Sequence, residues 1–174
     1  MALRRILTVP DPLLRERSSH VEKVDSDIKS LMDDMLETMY QAPGIGLAAI
    51  QIGVSKRVVV MDVSKDEGKK NPMYFVNPEI TWKSSTNVGY EEGCLSIPNQ
   101  FAKIERPDKC HIKYLDYNGV EKVIKAEGLL ATCIQHEIDH LNGILFIDYL
   151  SKLKKSIIIK KVSKHKKELE RIVV

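Results

Sequence analysis

Long apolar runs are missing from this chain. The longest, such as Val58 to Met61 and Ile157 to Ile159, are strand-length or shorter, whereas a helix that crosses a bilayer needs about 20 consecutive apolar residues. Cysteine is scarce, with Cys94, Cys110 and Cys133 an odd number without paired spacing. Such residues read as core, metal-binding or catalytic thiols rather than a disulfide framework. No apolar stretch and no small-residue cleavage site follows Arg4 and Arg5, so neither a secretory signal nor a membrane partner is expected, and the expected location is cytoplasmic. There is no internal repeat and no low-complexity linker.

What remains is an ordinary globular composition: 174 residues, 43% apolar and 29% charged, enough for one domain. The net charge of +3 hides an asymmetry. Residues 152–174 hold nine of the 27 Lys and Arg but only two of the 24 Asp and Glu, which puts a tail of +7 on a body of −4. A basic tail on a mildly acidic body points to a polyanionic partner such as RNA, weighed against a merely solvated helix face.

Ser26 reads as the cap of a helix whose Ile28, Leu31, Met32, Met35, Leu36 and Met39 form one apolar stripe. Pro43, Gly44 and Gly46 then break the periodicity, so the segment from Gln41 to Gly53 reads as a constrained loop. Strands are expected at Arg57 to Val63, Met73 to Val76 and Glu79 to Lys83, with Trp82 as a packing residue. Cys110 to Asp116 and Val120 to Lys125 flank an Asn-Gly turn, which specifies a hairpin. Cys110 and His111 point to opposite faces of its first strand, against a shared metal site. From Leu129 the pattern turns helical, with Gly143 placed to stop the helix. A last helix from Ser151 sets Leu153, Ile157, Ile158, Val162, His165, Leu169 and Ile172 on one side and lysines on the other.

Gln135-His136-Glu137-Ile138-Asp139-His140 contains the H-E-x-x-H spacing. On a helix, residues i and i+4 share a face, so two imidazoles can grip one ion while the intervening glutamate takes a proton from water beside it. A third protein ligand is needed. Cys133 and His140 span about 10.5 Å of helix rise, too far for convergence on one ion, so Cys133 reads as a neighbour. Cys94, in an irregular segment between Gly93 and Pro98, can approach from outside the helix. A closed, structural four-ligand site is the competing reading, although His20, His111 and His165 lack supporting spacing.

Three segments, Gly44-Ile45-Gly46-Leu47-Ala48-Ala49-Ile50-Gln51, Glu92-Gly93-Cys94-Leu95-Ser96 and the H-E-x-x-H run, together resemble the signature motifs of peptide deformylases. The resemblance spans about residue 5 to residue 150. It implies an enzyme that removes the formyl group from N-formylmethionyl nascent peptides and releases formate. Position by position it implies Cys94, His136 and His140 as metal ligands, Glu137 as general base and acid, and Gln51 with the Leu95 backbone N–H as oxyanion donors. One divalent ion is implied, Fe²⁺ as the native metal, with Zn²⁺, Ni²⁺ or Co²⁺ able to replace it. Ile45, Ile97, Leu129, Cys133 and the His136 ring would wall a methionine pocket, and Gly44 and Gly46 would hydrogen-bond the extended peptide. Arg106 is expected to pair with Glu92 or Asp139 and hold the ligand loop against the helix.

The resemblance also raises ribosome binding, through ribosomal RNA or an exit-site protein, as a role for the basic last helix. The expected fold is α+β. Antiparallel sheets pack around the H-E-x-x-H helix, an N-terminal helix covers them and the basic helix lies outside. Residues 1–150 would form the catalytic part and 151–174 the C-terminal helix of the same domain. A zinc peptidase using the same motif on internal amides, and a non-catalytic ribosome-associated protein, are the competing functions.

Overall fold

The structure is a computed structural model that describes residues 1–64 and 68–172. Helix α1 (Ser26–Gln41) leads into strands β1 (Gly46–Ala48), β2 (Val58–Met61) and β3 (Met73–Lys83). A hairpin of β4 (Asn87–Cys94) and β5 (Ile97–Pro107) follows, then β6 (Lys109–Leu115), β7 (Glu121–Glu127), helix α2 (Gly128–Leu141) and helix α3 (Lys152–Ile172). Five strands form one antiparallel sheet in the order β1-β2-β3-β6-β7, and β4 and β5 form a second. No helix among the described residues is long and apolar enough to cross a membrane.

Alternation along β2 divides the core. Val59 and Met61 join Phe75, Ile112, Ala131, Ile134 and Ile138 on the α2 side. Val58 and Val60 join Met32, Met35 and Met39 of α1 on the other. A strand covered on both faces carries a continuous apolar run, which is why residues 58–61 read Val-Val-Val-Met. A third cluster binds the β4–β5 hairpin to the C-terminal region through Ile97, Ile104, Phe146, Ile158 and Val162. Helix α2 is thereby held between the two sheets, and the α+β arrangement expected from the sequence is the one observed.

Several local expectations are corrected. Asp25, not Ser26, caps α1, its side chain accepting the Ile28 N–H, while Ser26 is the first helical residue. The strand expected at Arg57 to Val63 is confined to Val58–Met61. The two strands expected on either side of Asn77-Pro78 are one, β3. A bulge absorbs Asn77 at φ 51°, and its side-chain amide is fastened to the Val21 backbone by two 2.8 Å bonds. Trp82 does pack, but on the sheet surface against His111, and it stays 47% exposed. Helix α3 buries only Ile158 and Val162 of its apolar stripe, leaving Leu153, Ile157, Leu169, Ile172 and His165 exposed. The Cys110–Asp116 hairpin and the stop at Gly143, left-handed at φ 75°, stand as expected.

Candidate metal centre

Helix α2 carries His136 and His140 one turn apart, their rings edge to face with centroids 5.0 Å apart. Cys94 reaches them from the other sheet. It does not lie in an irregular segment, as the flanking Gly93 and Pro98 suggested. It is the last residue of β4, and it pairs with Ile97 across the two-residue turn Leu95-Ser96. The Cys94 Sγ stands 3.3 Å from His140 Nε2, and one donor atom each from Cys94, His136 and His140 lie within 4.8 Å of one another. Tetrahedral coordination with bonds of about 2.0 to 2.3 Å needs ligand separations of about 3.3 to 3.8 Å. The three donors fit one ion with a small contraction, and a thiol with two imidazoles suits a borderline divalent metal.

Neighbouring charges hold this cluster. Glu92, also on β4, accepts from His136 Nδ1 at 2.8 Å, which leaves Nε2 of that ring facing the site. Arg106 on β5 donates to both Glu92 oxygens at 2.7 and 3.0 Å and to Asp139 at 2.8 Å. The sequence offered Glu92 or Asp139 as its partner, and the fold supplies both in a buried network. Burial works to raise the Glu92 carboxyl, but hydrogen bonds from His136 and Arg106 outweigh it and hold it below the ordinary range. Burial pushes His140 well below the usual imidazole value, so that ring is neutral, the form that binds metals.

Beside the cluster, a cavity of about 570 Å³ is lined by Gly44, Ile45, Gly46, Gln51, Glu92, Cys94, Leu95, Ile97, Leu129, Cys133, His136 and Glu137, among others. All the residues expected to meet substrate are among them, together with the metal ligands Cys94 and His136 and with Glu92, which was expected behind them. His140 completes the cluster without lining the cavity, and Arg106 pairs with Glu92 and Asp139 in the ionic layer beside it. Glu137 is 4% exposed, and its Oε2 has no hydrogen-bond partner among the described residues. Burial raises its carboxyl to about 7, and a divalent cation alongside would draw it back down. Its other oxygen lies so close to β1 that a Cβ on Gly46 would stand 2.6 Å from it and 2.9 Å from Cys133 Sγ. Any side chain there would have to displace Glu137 or Cys133.

The Gln51 carbonyl accepts the Ala48 N–H at 2.9 Å, which turns its amide nitrogen toward Ser96 Oγ at 3.0 Å and Cys94 Sγ at 3.6 Å. Leu95 opens the β4–β5 turn, so its N–H lies outside the ladder beside the same cavity. Ile45 is 45% exposed and stands at the cavity mouth, whereas Ile97 is buried at its wall.

Three residues escaped the sequence reading. Thr132 lines the cavity one turn before His136, a spacing that could have revealed it. Ser96 orients the Gln51 amide. Tyr149 donates to Asp139 at 2.7 Å with Arg106 stacked 5.0 Å over its ring, and no local pattern announces it.

A family profile described as Polypeptide deformylase matches residues 3–156. The peptide deformylase of Pelagibacter ubique is 64% identical over 174 residues, 100% of both chains. A crystal structure of peptide deformylase from Ehrlichia chaffeensis in complex with actinonin is similar at TM-score 0.91 and 50% identity, over 95% of this chain and 98% of that one. A peptide deformylase from Legionella pneumophila is similar at TM-score 0.91 and 45% identity, over 98% and 99%.

Proposed function

This chain belongs to the polypeptide deformylase family, metal-dependent hydrolases that remove the N-formyl group from nascent peptides, and from that premise we propose which of its residues carry the reaction. Cys94, His136 and His140 hold the ion. The observation that supports this is the convergence of their donor atoms within 4.8 Å beside a cavity that also contains the unpaired Glu137 oxygen. A divalent ion held there supplies a Lewis acid that makes water nucleophilic near neutral pH. Fe²⁺ is the proposed native ion, with Zn²⁺, Ni²⁺ and Co²⁺ compatible with the same donor set.

Glu137 takes the proton from the attacking water and returns it to the leaving amine, a task that suits a buried carboxyl whose Oε2 is free of other partners among the described residues. The Gln51 amide and the Leu95 N–H stabilise the charge that grows on the formyl oxygen. Both donors are oriented before substrate arrives, Gln51 by Ala48 and Ser96 and Leu95 by the tight turn, and the long 3.6 Å contact to Cys94 Sγ is the one the Gln51 amide gives up to the formyl oxygen. Ile97, Leu129, Cys133 and the His136 ring form an apolar receptacle for methionine, whose flexible thioether tolerates an irregular wall. Among the described residues strand β1 (Gly46–Ala48) pairs with β2 alone, and its free edge, with Gly44 and Ile45 leading into it, suits an extended peptide. The enzyme works in the cytoplasm, and the basic α3 docks on a polyanionic surface such as ribosomal RNA, a reading supported by its charge.

The test is formate release from a formyl-Met peptide by anaerobically purified protein, beside the unformylated peptide and with metal measured on the same sample. Formate from the formylated peptide alone is the expected result. Internal peptide cleavage by a fully metallated sample would overturn the reading.

A further inference from the structure

Tyr149 ends the short 3₁₀ turn Phe146–Tyr149 and is 52% exposed, yet it makes two contacts with the charges beside the metal ligands. Its hydroxyl donates to Asp139 Oδ2 at 2.7 Å, the same oxygen that accepts from Arg106 Nη1 at 2.8 Å. Its ring centre lies 5.0 Å from the Arg106 guanidinium carbon. Arg106 is buried with Glu92, and Glu92 accepts from His136 Nδ1. Contacts thus run without a break from Tyr149 through Asp139, Arg106 and Glu92 to His136, with Tyr149 at the solvent end. The turn that carries Tyr149 is well anchored. Phe146 and Ile147 are buried, Asp148 accepts the Leu145 N–H at 2.9 Å and pairs with Lys155 of α3 at 2.6 Å, and Phe146 stacks on the His136 ring with centroids 6.1 Å apart.

We infer that Tyr149 is a positioning residue for the metal centre: it holds Asp139 and Arg106 so that Glu92 keeps the His136 ring turned with Nε2 toward the site. This role rests on the ligand set proposed above and extends it to a side chain that does not line the cavity. A guanidinium takes its orientation from the acceptors in its plane and from whatever covers its faces. Glu92 and Asp139 supply the acceptors, and the Tyr149 ring supplies the cover, where a cation against an aromatic face is attracted most strongly once water is excluded. The hydroxyl restrains Asp139 in the same stroke. Without this side chain, water reaches Asp139 and the outer face of Arg106, and the higher local dielectric weakens the hold of Arg106 on both carboxylates. Glu92 is then freer, and the His136 ring with it.

The test loads native protein, Tyr149→Ala and Tyr149→Phe with Co²⁺ and measures metal retention by competition with a chelator. The visible spectrum of the same samples reports the geometry of the thiolate and imidazole ligands. Val162→Ala, which opens a cavity in the third apolar cluster, is the destabilised control, with stability read by urea unfolding. Losing a group that orients a metal-bound histidine weakens metal binding about 10- to 100-fold, and Tyr149 acts through such a group, so Tyr149→Ala should weaken Co²⁺ retention about five- to tenfold and alter the spectrum. Tyr149→Phe keeps the ring and should fall between native and Tyr149→Ala. Val162→Ala should lose stability yet match native protein in retention and spectrum. If Tyr149→Ala does not fold, Tyr149→Leu, which keeps apolar bulk without ring or hydroxyl, takes its place. Retention within about twofold of native with an unaltered spectrum, or an equal loss in Val162→Ala, would overturn the inference. Native protein that fails to hold one equivalent of Co²⁺ would overturn the ligand set itself.

Discussion

Arg106 grips Glu92 through two hydrogen bonds of 2.7 and 3.0 Å, with both side chains only 5% exposed. The pair joins β5 to β4 and, through Glu92 and Asp139, joins the hairpin to α2. Buried ions of this kind contribute little net stability relative to apolar packing, but removing one partner is costly because the other stays buried and charged.

Arg106→Ala should therefore cost about 3 to 5 kcal/mol and, by releasing Glu92 from its place behind His136, weaken metal retention about 10- to 100-fold. Urea unfolding and competition with a chelator measure the two effects. Unchanged metal retention in a folded variant would show that Glu92 needs no help to orient the ring.

Glu137→Ala is expected to keep its metal and lose at least about a hundredfold in turnover, since the variant loses the proton acceptor. Cys94→Ala should lose the metal as well. Metal analysis after gel filtration, run beside the formate assay, separates the two. Stoichiometric metal in Cys94→Ala would remove that thiol from the ligand set.

Gly46→Ala forces a methyl group against Glu137 Oε1 and Cys133 Sγ. A displacement of the base by about 1 Å can cost about a hundredfold in rate. The expected signature is a fall in kcat larger than any loss of metal. Native kcat in this variant would mean that Glu137 can move aside without cost.

Acid should unmask Asp62, which is 8% exposed. Burial works to raise its carboxyl, but hydrogen bonds from Ser64, Tyr40 and the Asn71 N–H outweigh it and hold it at about 2, below the ordinary 3.8. The folded value is the lower one, so the stabilisation is fully present above about pH 4 and disappears as pH falls toward 2. It amounts to about 2.5 kcal/mol. Urea unfolding of native protein and Asp62→Asn across this range should show a gap that closes with acid. A gap independent of pH would place the effect in shape rather than charge.

Much of the centre was legible because its spacing is local. His136 and His140 share a face through helix geometry alone, the methionines of α1 form a stripe through the same period, and the Asn-Gly turn specifies the β6–β7 hairpin. Each is decided within a few residues, where backbone geometry leaves few alternatives. The three motif segments also mark Cys94, Gln51 and Gly46 in the sequence itself.

Tertiary structure decided what depends on separation in the chain and on register. Arg106 reaches Glu92 and Asp139, 14 and 33 residues away, because hairpin and helix are packed together, and composition could not say that one arginine would hold both. The exposed stripe of α3 shows the same limit, since an apolar period tells which residues share a face, not whether a neighbour covers them. Nor does periodicity show that Phe101 comes to rest on Gly93, since that contact follows from a hairpin whose register shifts between Glu92 and Cys94. Local periodicity fixes directions along a helix or strand, and only the closing of one element on another turns those directions into contacts.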